Sequence, residues 1–330
     1  QTQGRLSLTT QDSTLGLPDV FDGPLFFSRL EGSLVWHINK NKEGKSNWKI
    51  SSPNLLFTNL DMTGMLSGSY ASDSDQLVVR GHIDKLSLEK AVRYIPKQVG
   101  TSTKTFLTLA KLTGDSRHIN VNVQGPLKSF PYTRPDDGIF QITIPVSQGS
   151  ISIPTSDFLE NKHLSKNEQH WPLINDIHGA ITLKQAALYL DFPNAKVYKA
   201  RLKNVHGEIS NLYADAPRLK INGTANGTTQ DFLSFIQQSP LIKELPIVDG
   251  MQAQGNGKLS LLLDLALTHS AVGDKISGTY TPVNNQLNLP TSIAANLPPL
   301  QALNGKLRFT QEALYLDAVK GSFAGGAFAA

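Results

Sequence analysis

The run Leu259-Ser260-Leu261-Leu262-Leu263-Asp264-Leu265-Ala266-Leu267 sets leucine at every second position and places Ser260 and Asp264 between them. Successive side chains of a strand leave on opposite faces, so a period of two makes one face a strip of hydrocarbon. At roughly 3.4 Å per residue the strip is about 27 Å long. The alternation recurs along the chain. Leu34, Trp36 and Ile38 alternate with Val35, His37 and Asn39, and Ile119, Val121 and Val123 with Asn120, Asn122 and Gln124. Phe140, Ile142 and Ile144 alternate with Gln141 and Thr143. Asp22-Gly23, Asp137-Gly138, Asn222-Gly223, Asn226-Gly227, Asp249-Gly250, Asn256-Gly257 and Asn304-Gly305 read as turns between such strands. The pattern predicts an antiparallel sheet, apolar on one face and polar on the other.

Helical spacing is scarce. It is confined to Leu86–Lys97, Ser102–Leu112 and Thr229–Ile236, the last with Thr228 or Thr229 as N-cap. Three short helices do not cover the apolar face of fifteen to twenty strands, so the sheet curls into a groove or folds into a sandwich.

Internal repetition orders the chain. Gly179-Ala-Ile-Thr-Leu-Lys-Gln-Ala-Ala-Leu-Tyr-Leu-Asp191 returns 126 residues later as Gly305-Lys-Leu-Arg-Phe-Thr-Gln-Glu-Ala-Leu-Tyr-Leu-Asp317. Leu188, Leu190, Leu314 and Leu316 are expected on one face, with Tyr189 and Tyr315 on the other. A fainter copy starts at Pro24-Leu25, and Gln76–Gly81 with its following helix echoes Arg218–Gly223 with its own. The modules expected are 1–170, 171–298 and a truncated third at 299–330.

Composition narrows the function. The net charge of +4 is spread along the chain, so no basic stripe for nucleic acid is expected. Absence of cysteine removes disulfides, zinc thiolates and thiol nucleophiles. No apolar run approaches the roughly 20 residues that span a bilayer. The chain opens inside a strand-like run, Arg5-Leu6-Ser7-Leu8, and stops at Gly325–Ala330, which suggests a piece of a longer protein.

No catalytic pattern emerges. Gly-x-Ser-x-Gly, Walker and His-Glu-x-x-His motifs are absent. Gly255-Asn256-Gly257 lacks the third glycine of a dinucleotide site and reads as a hairpin turn. Asp73/Asp75 and Asp136/Asp137 read as solvated loop acids. The eight histidines, His163 and His170 included, show no ligand spacing. No cofactor, metal or enzyme activity is expected.

An ordered series of short stretches resembles the YhdP-type branch of the AsmA-like superfamily. It runs from Leu17-Pro18 and Phe21 through Leu30-Glu31-Gly32, Trp36, Asn47-Trp48-Lys49-Ile50 and Phe57-Thr58-Asn59. It continues with Tyr94-Ile95-Pro96, Gly125-Pro126-Leu127-Lys128-Ser129-Phe130-Pro131-Tyr132, Gly138-Ile139-Phe140, Trp171-Pro172-Leu173, Phe232–Phe235 and Ser239-Pro240-Leu241. Phe106-Leu107 stands where the family carries Trp-Leu, and Tyr132 where it carries Phe. The resemblance implies a long periplasmic protein anchored in the bacterial inner membrane by a helix outside this chain. It also implies a mainly β fold, an elongated, curved antiparallel sheet of stacked repeats forming an open apolar groove, with a few short helices. Phospholipid acyl chains would move along the groove between inner and outer membranes.

The residues expected to line that groove are Leu34, Trp36, Ile38, Ile119, Val121, Val123, Phe140, Ile142, Ile144, Leu188, Leu190, Leu259, Leu261, Leu263, Leu265 and Leu267. A structural, chaperone-like β-array working through strand edges is the alternative, and end-to-end self-association is expected of either. A carbohydrate-binding module is disfavoured because Trp36, Trp48 and Trp171 sit among apolar alternations, not on exposed platforms.

Overall fold

The computed structural model describes residues 2–19, 21–40, 44–95, 97, 101–155, 170–267, 273–290 and 297–330. The first eight strands are β1 (Thr2–Leu15), β2 (Leu25–Lys40), β3 (Ser46–Thr58), β4 (Met62–Ala71), β5 (Gln76–Ser87), β6 (Thr113–Pro126), β7 (Ile139–Ile151) and β8 (Ile174–Lys184). The second eight are β9 (Ala187–Val197), β10 (Ala200–Ile209), β11 (Arg218–Thr228), β12 (Gln252–Ala266), β13 (Lys275–Asn288), β14 (Leu300–Thr310), β15 (Leu314–Phe323) and β16 (Gly326–Ala329). They form one 16-stranded sheet in sequence order, and it is not closed into a barrel. Every neighbouring pair is antiparallel, as short connections require. The ladder continues across residues 170/171 and 298/299, where Ile144 lies opposite Ile181 and Ser277 opposite Thr310.

The 126-residue repeat is reproduced in backbone detail. Ile181 faces Leu190 and Leu183 faces Leu188, just as Leu307 faces Leu316 and Phe309 faces Leu314. Even the irregularities recur: Asp176 and Ala302 both have positive φ, as do Gly179 and Gly305. Comparable left-handed residues interrupt other strands, at His118 in β6, Gln148 in β7, Asn204 in β10, Asn284 in β13 and Ala318 in β15. Register shifts occur beside them. An extra residue on one strand bends it and sharpens its right-handed twist at that point.

Four Asn-Gly pairs that read as turns are strand interior. Asn222-Gly223 and Asn226-Gly227 lie in β11, Asn256-Gly257 in β12 and Asn304-Gly305 in β14, and the hairpin expected at Gly255 is likewise inside β12. The physical reason is close approach. A Cβ on Gly257 would fall 2.5 Å from the ring of Tyr280 on the next strand, so glycine there lets an aromatic lie flat on the sheet.

A 3₁₀ turn (Leu88–Tyr94) and α1 (Thr101–Leu109) join β5 to β6. Helices α2 (Thr229–Gln237) and α3 (Leu241–Glu244), then a 3₁₀ turn at Pro246–Val248, join β11 to β12. Because the chain reverses at each strand, these connections and the one between β7 and β8 leave the same edge of the sheet. Thr228 is the N-cap of α2: its hydroxyl accepts the Asp231 N–H at 3.1 Å.

Candidate functional site

Residues directly opposite one another in an antiparallel pair project to the same face, so register assigns every side chain to a side. From Leu8 in β1 the partners run through Gly32, Leu55, Leu66, Gly81, Val121, Ile142, Leu183, Leu188 and Ile209, crossing β1 to β10. A second row runs Ile144, Ile181, Leu190, Gly207, Ile221, Leu263 and Ile276, crossing β7 to β13. Further along, Ala225, Leu259, Tyr280, Leu307 and Leu316 line up beside Gly223, Leu261, Gly278, Phe309 and Leu314. The rows join into one apolar face.

All the groove residues expected from sequence fall on it. Leu34 faces Leu6, Trp36 faces Ile50 and Ile38 faces Trp48. Val123 lies between Val79 and Phe140, Ile119 faces Ile83, and Leu265 faces Leu219. Leu267, one step past β12, is buried in the same cluster as Leu263 and Leu265. The two tyrosines of the repeat take the other face, with Tyr189 opposite Thr182 and Tyr315 opposite Arg308. Leu55, Leu66, Ile181, Ile221 and Phe309 also belong to the face but escaped the sequence pattern, since bulges such as Ser52 to Leu55 break strict alternation.

Charge is segregated with the same discipline. Among the paired positions of the apolar face there is no Asp, Glu or Arg, and one Lys, Lys40 at the tip of β2. The opposite face pairs its charges: Arg218 Nε lies 2.6 Å from Asp264 Oδ1, Lys196 Nζ 2.7 Å from Asp176 Oδ2, and Arg308 Nε 2.5 Å from Asp317 Oδ2. Hydrogen bonding from Lys196, then from His178, holds the Asp176 carboxyl below the ordinary range, and Arg308 does the same for Asp317. Asp75, expected as a solvated loop acid, lies in the turn between β4 and β5 and is also hydrogen-bonded there. It accepts the Tyr70 hydroxyl at 2.8 Å and the Lys128 backbone N–H at 3.0 Å, tying two connections together.

Exposure varies along the face. Part of the floor is buried in the second half of the sheet, with Leu188 and Leu263 at 7% and Leu265 at 4%, and part in the first half, with Ile119 at 1% and Phe57 at 5%. On the outermost strands other positions are open: Leu6 is 55% exposed, Leu34 38%, Leu314 62% and Leu316 46%. No group of three or more His, Asp or Glu that could hold a metal occurs among the described residues. His163 and His269 lie outside the described residues, and His170 sits against the Leu109 carbonyl at 3.4 Å.

The family model described as YhdP protein matches residues 1–330. The chain belongs to the YhdP family. No curated protein and no solved structure matches it. Two of the stretches that carried the resemblance act in packing. Tyr132 is fully buried, its ring 5.6 Å from Phe130, and Phe130 in turn lies 5.9 Å from Phe140. Tyr94 and Arg93 both donate to Asp61, at 2.9 and 2.7 Å, which moors the 3₁₀ turn to the β3–β4 connection. No described helix of the chain is long and apolar enough to cross a membrane.

Proposed function

We propose that this chain is a periplasmic segment of a non-enzymatic bridge, shielding phospholipid acyl chains on its apolar face during passage between inner and outer membranes. The observation that carries the proposal is the segregation of charge: a 16-stranded sheet keeps one face apolar across its width and leaves that face open near both ends. Burying a methylene is worth about 0.8 kcal/mol, so exposing an acyl chain of about 16 carbons would cost on the order of 12 kcal/mol. A conduit must therefore shield the whole tail while the headgroup stays wet. An open curved sheet meets that demand, whereas a sandwich fills its interior with its own side chains. At about 4.8 Å between strands, the sheet extends roughly 72 Å. That length serves as one section of a longer path.

The test is native mass spectrometry of the purified chain. Phospholipid is expected to co-purify with the wild type and to be lost from Leu34→Asp combined with Leu316→Asp, while a folded double variant with wild-type lipid would contradict the proposal. A second reading is a β-array that works through strand edges, for which the outer edge of the 14-residue β1, without a partner among the described residues, would be the place to look. Photo-crosslinking along β1 separates the two, by giving protein adducts at the edge instead of lipid adducts on the face.

A further inference from the structure

The buried middle of the apolar face is covered by segments of the chain itself, and the way they meet suggests how passage is controlled. Trp171 stands just before β8, whereas Phe235 belongs to α2, which leaves β11 and packs on β12. Strands β9 and β10 lie between, a separation of roughly 14 Å from β8 to β11. Yet the two rings are 5.9 Å apart, so the segments bearing them reach toward each other over the intervening strands. Tyr198, in the turn between β9 and β10, donates to Gln238 just past α2 at 2.8 Å, which places the end of the helix over those strands. Both rings pack into the cluster that contains the floor leucines Leu188 and Leu263.

The two sides of this cover are held differently. Helix α2 is fixed at its foot: Thr229 and Tyr280 share a hydrogen bond of 2.6 Å, Asn285 donates to both, and the Phe232 ring lies 5.6 Å from Tyr280. Trp171 is held through a short run of backbone, its N–H on the Ile153 carbonyl at 2.8 Å. Between a pinned helix and a tryptophan on a connection, the aromatic contact is the part that can part without breaking a hydrogen-bonded ladder.

We propose that the Trp171–Phe235 contact is a gate on the apolar face, closed in this structure, which acyl chains must open to pass the β8–β13 stretch. This rests on the lipid-shielding reading above. In the closed state Trp171, Phe235, Phe106 and Leu241 occupy the space over the floor that hydrocarbon tails would take, so tails and gate exclude each other.

The chain has no cysteine, so Trp171→Cys with Phe235→Cys supplies the only thiols, joined by a short bismaleimide whose spacer contains a reducible disulfide. A photoreactive amino acid is placed at Leu261, which packs against the same cluster as the two rings, at Leu316 on the open floor, or at Leu262 on the opposite face as background. Each protein is incubated with vesicles of phosphatidylethanolamine and phosphatidylglycerol and irradiated. The gate predicts lipid adducts at Leu316 whether or not the linker is intact. At Leu261 it predicts loss to the Leu262 background with the linker intact and recovery once reductant cleaves it in the same sample. Equal adducts at Leu261 in both states would overturn the gate, as would none at Leu261 in either state while Leu316 reacts, and both outcomes leave the lipid reading standing. Adducts at neither Leu261 nor Leu316 would overturn the lipid reading and the gate with it.

Discussion

Leu263 and Leu316 are leucines on the same uncharged face, but one is 7% exposed and the other 46%. A carboxylate at 263 would be buried without a partner, at a cost of about 3–5 kcal/mol, a large part of a domain's net stability. At 316 it reaches water. Leu263→Asp is therefore expected to melt far below wild type or fail to fold, while Leu316→Asp melts close to wild type and carries less lipid. Equal melting temperatures would show that position 263 is as open as 316. Asp264→Leu, on the opposite face, removes the partner of Arg218 at a site about a quarter exposed, so a loss of about 1 kcal/mol with unchanged lipid is expected. Alternation alone placed Leu259 to Leu267 and Leu188/Leu190 together on the apolar face. It did not separate covered from open leucines, because the cover comes from Phe106, Trp171 and Leu241, distant in sequence from the floor they bury.

Among the elements, strands and repeat were legible because a period of two and a fixed spacing survive without knowledge of partners. Bulges were not, since an extra residue is defined only against the strand opposite. That is why Asn222-Gly223 and Asn304-Gly305 read as turns when glycine there serves a close approach or a left-handed backbone. Helix α2 was legible from its cap, and Thr228→Ala should cost about 1 kcal/mol in a denaturant titration. No change in midpoint would mean that the packing of Phe232 and Leu233 and the Thr229–Tyr280–Asn285 hydrogen bonds hold the helix without its cap. The Asp75 clamp gives a prediction in pH. The Lys128 N–H, then the Tyr70 hydroxyl, hold its carboxyl below the ordinary range. A depressed carboxylate adds stability above its unfolded pKa, and that stability is lost as pH falls through the folded value. The melting difference between wild type and Asp75→Asn should thus be widest near neutrality and narrow as pH drops below the carboxylate range. A difference independent of pH would assign the effect to shape, not charge.

At the scale of the whole molecule, the open sheet has two consequences. In this chain the 14-residue β1 has no partner on its outer edge among the described residues, and β16 carries no charge. Unpaired edges template further pairing, so sedimentation velocity should show association that grows with concentration, and a monomer throughout would contradict that expectation. The second consequence is the central claim, that lipid travels on one face and not the other. Strand β15 tests it within three residues, because Leu314 and Leu316 lie on the apolar face and Tyr315 on the charged one. The measurement is photo-crosslinking in living cells, with a photoreactive residue at each of the three positions in turn in the full-length parent. Phospholipid adducts at 314 and 316 with none at 315 are the predicted result, and adducts of equal yield at all three, or at 315 alone, would contradict the account.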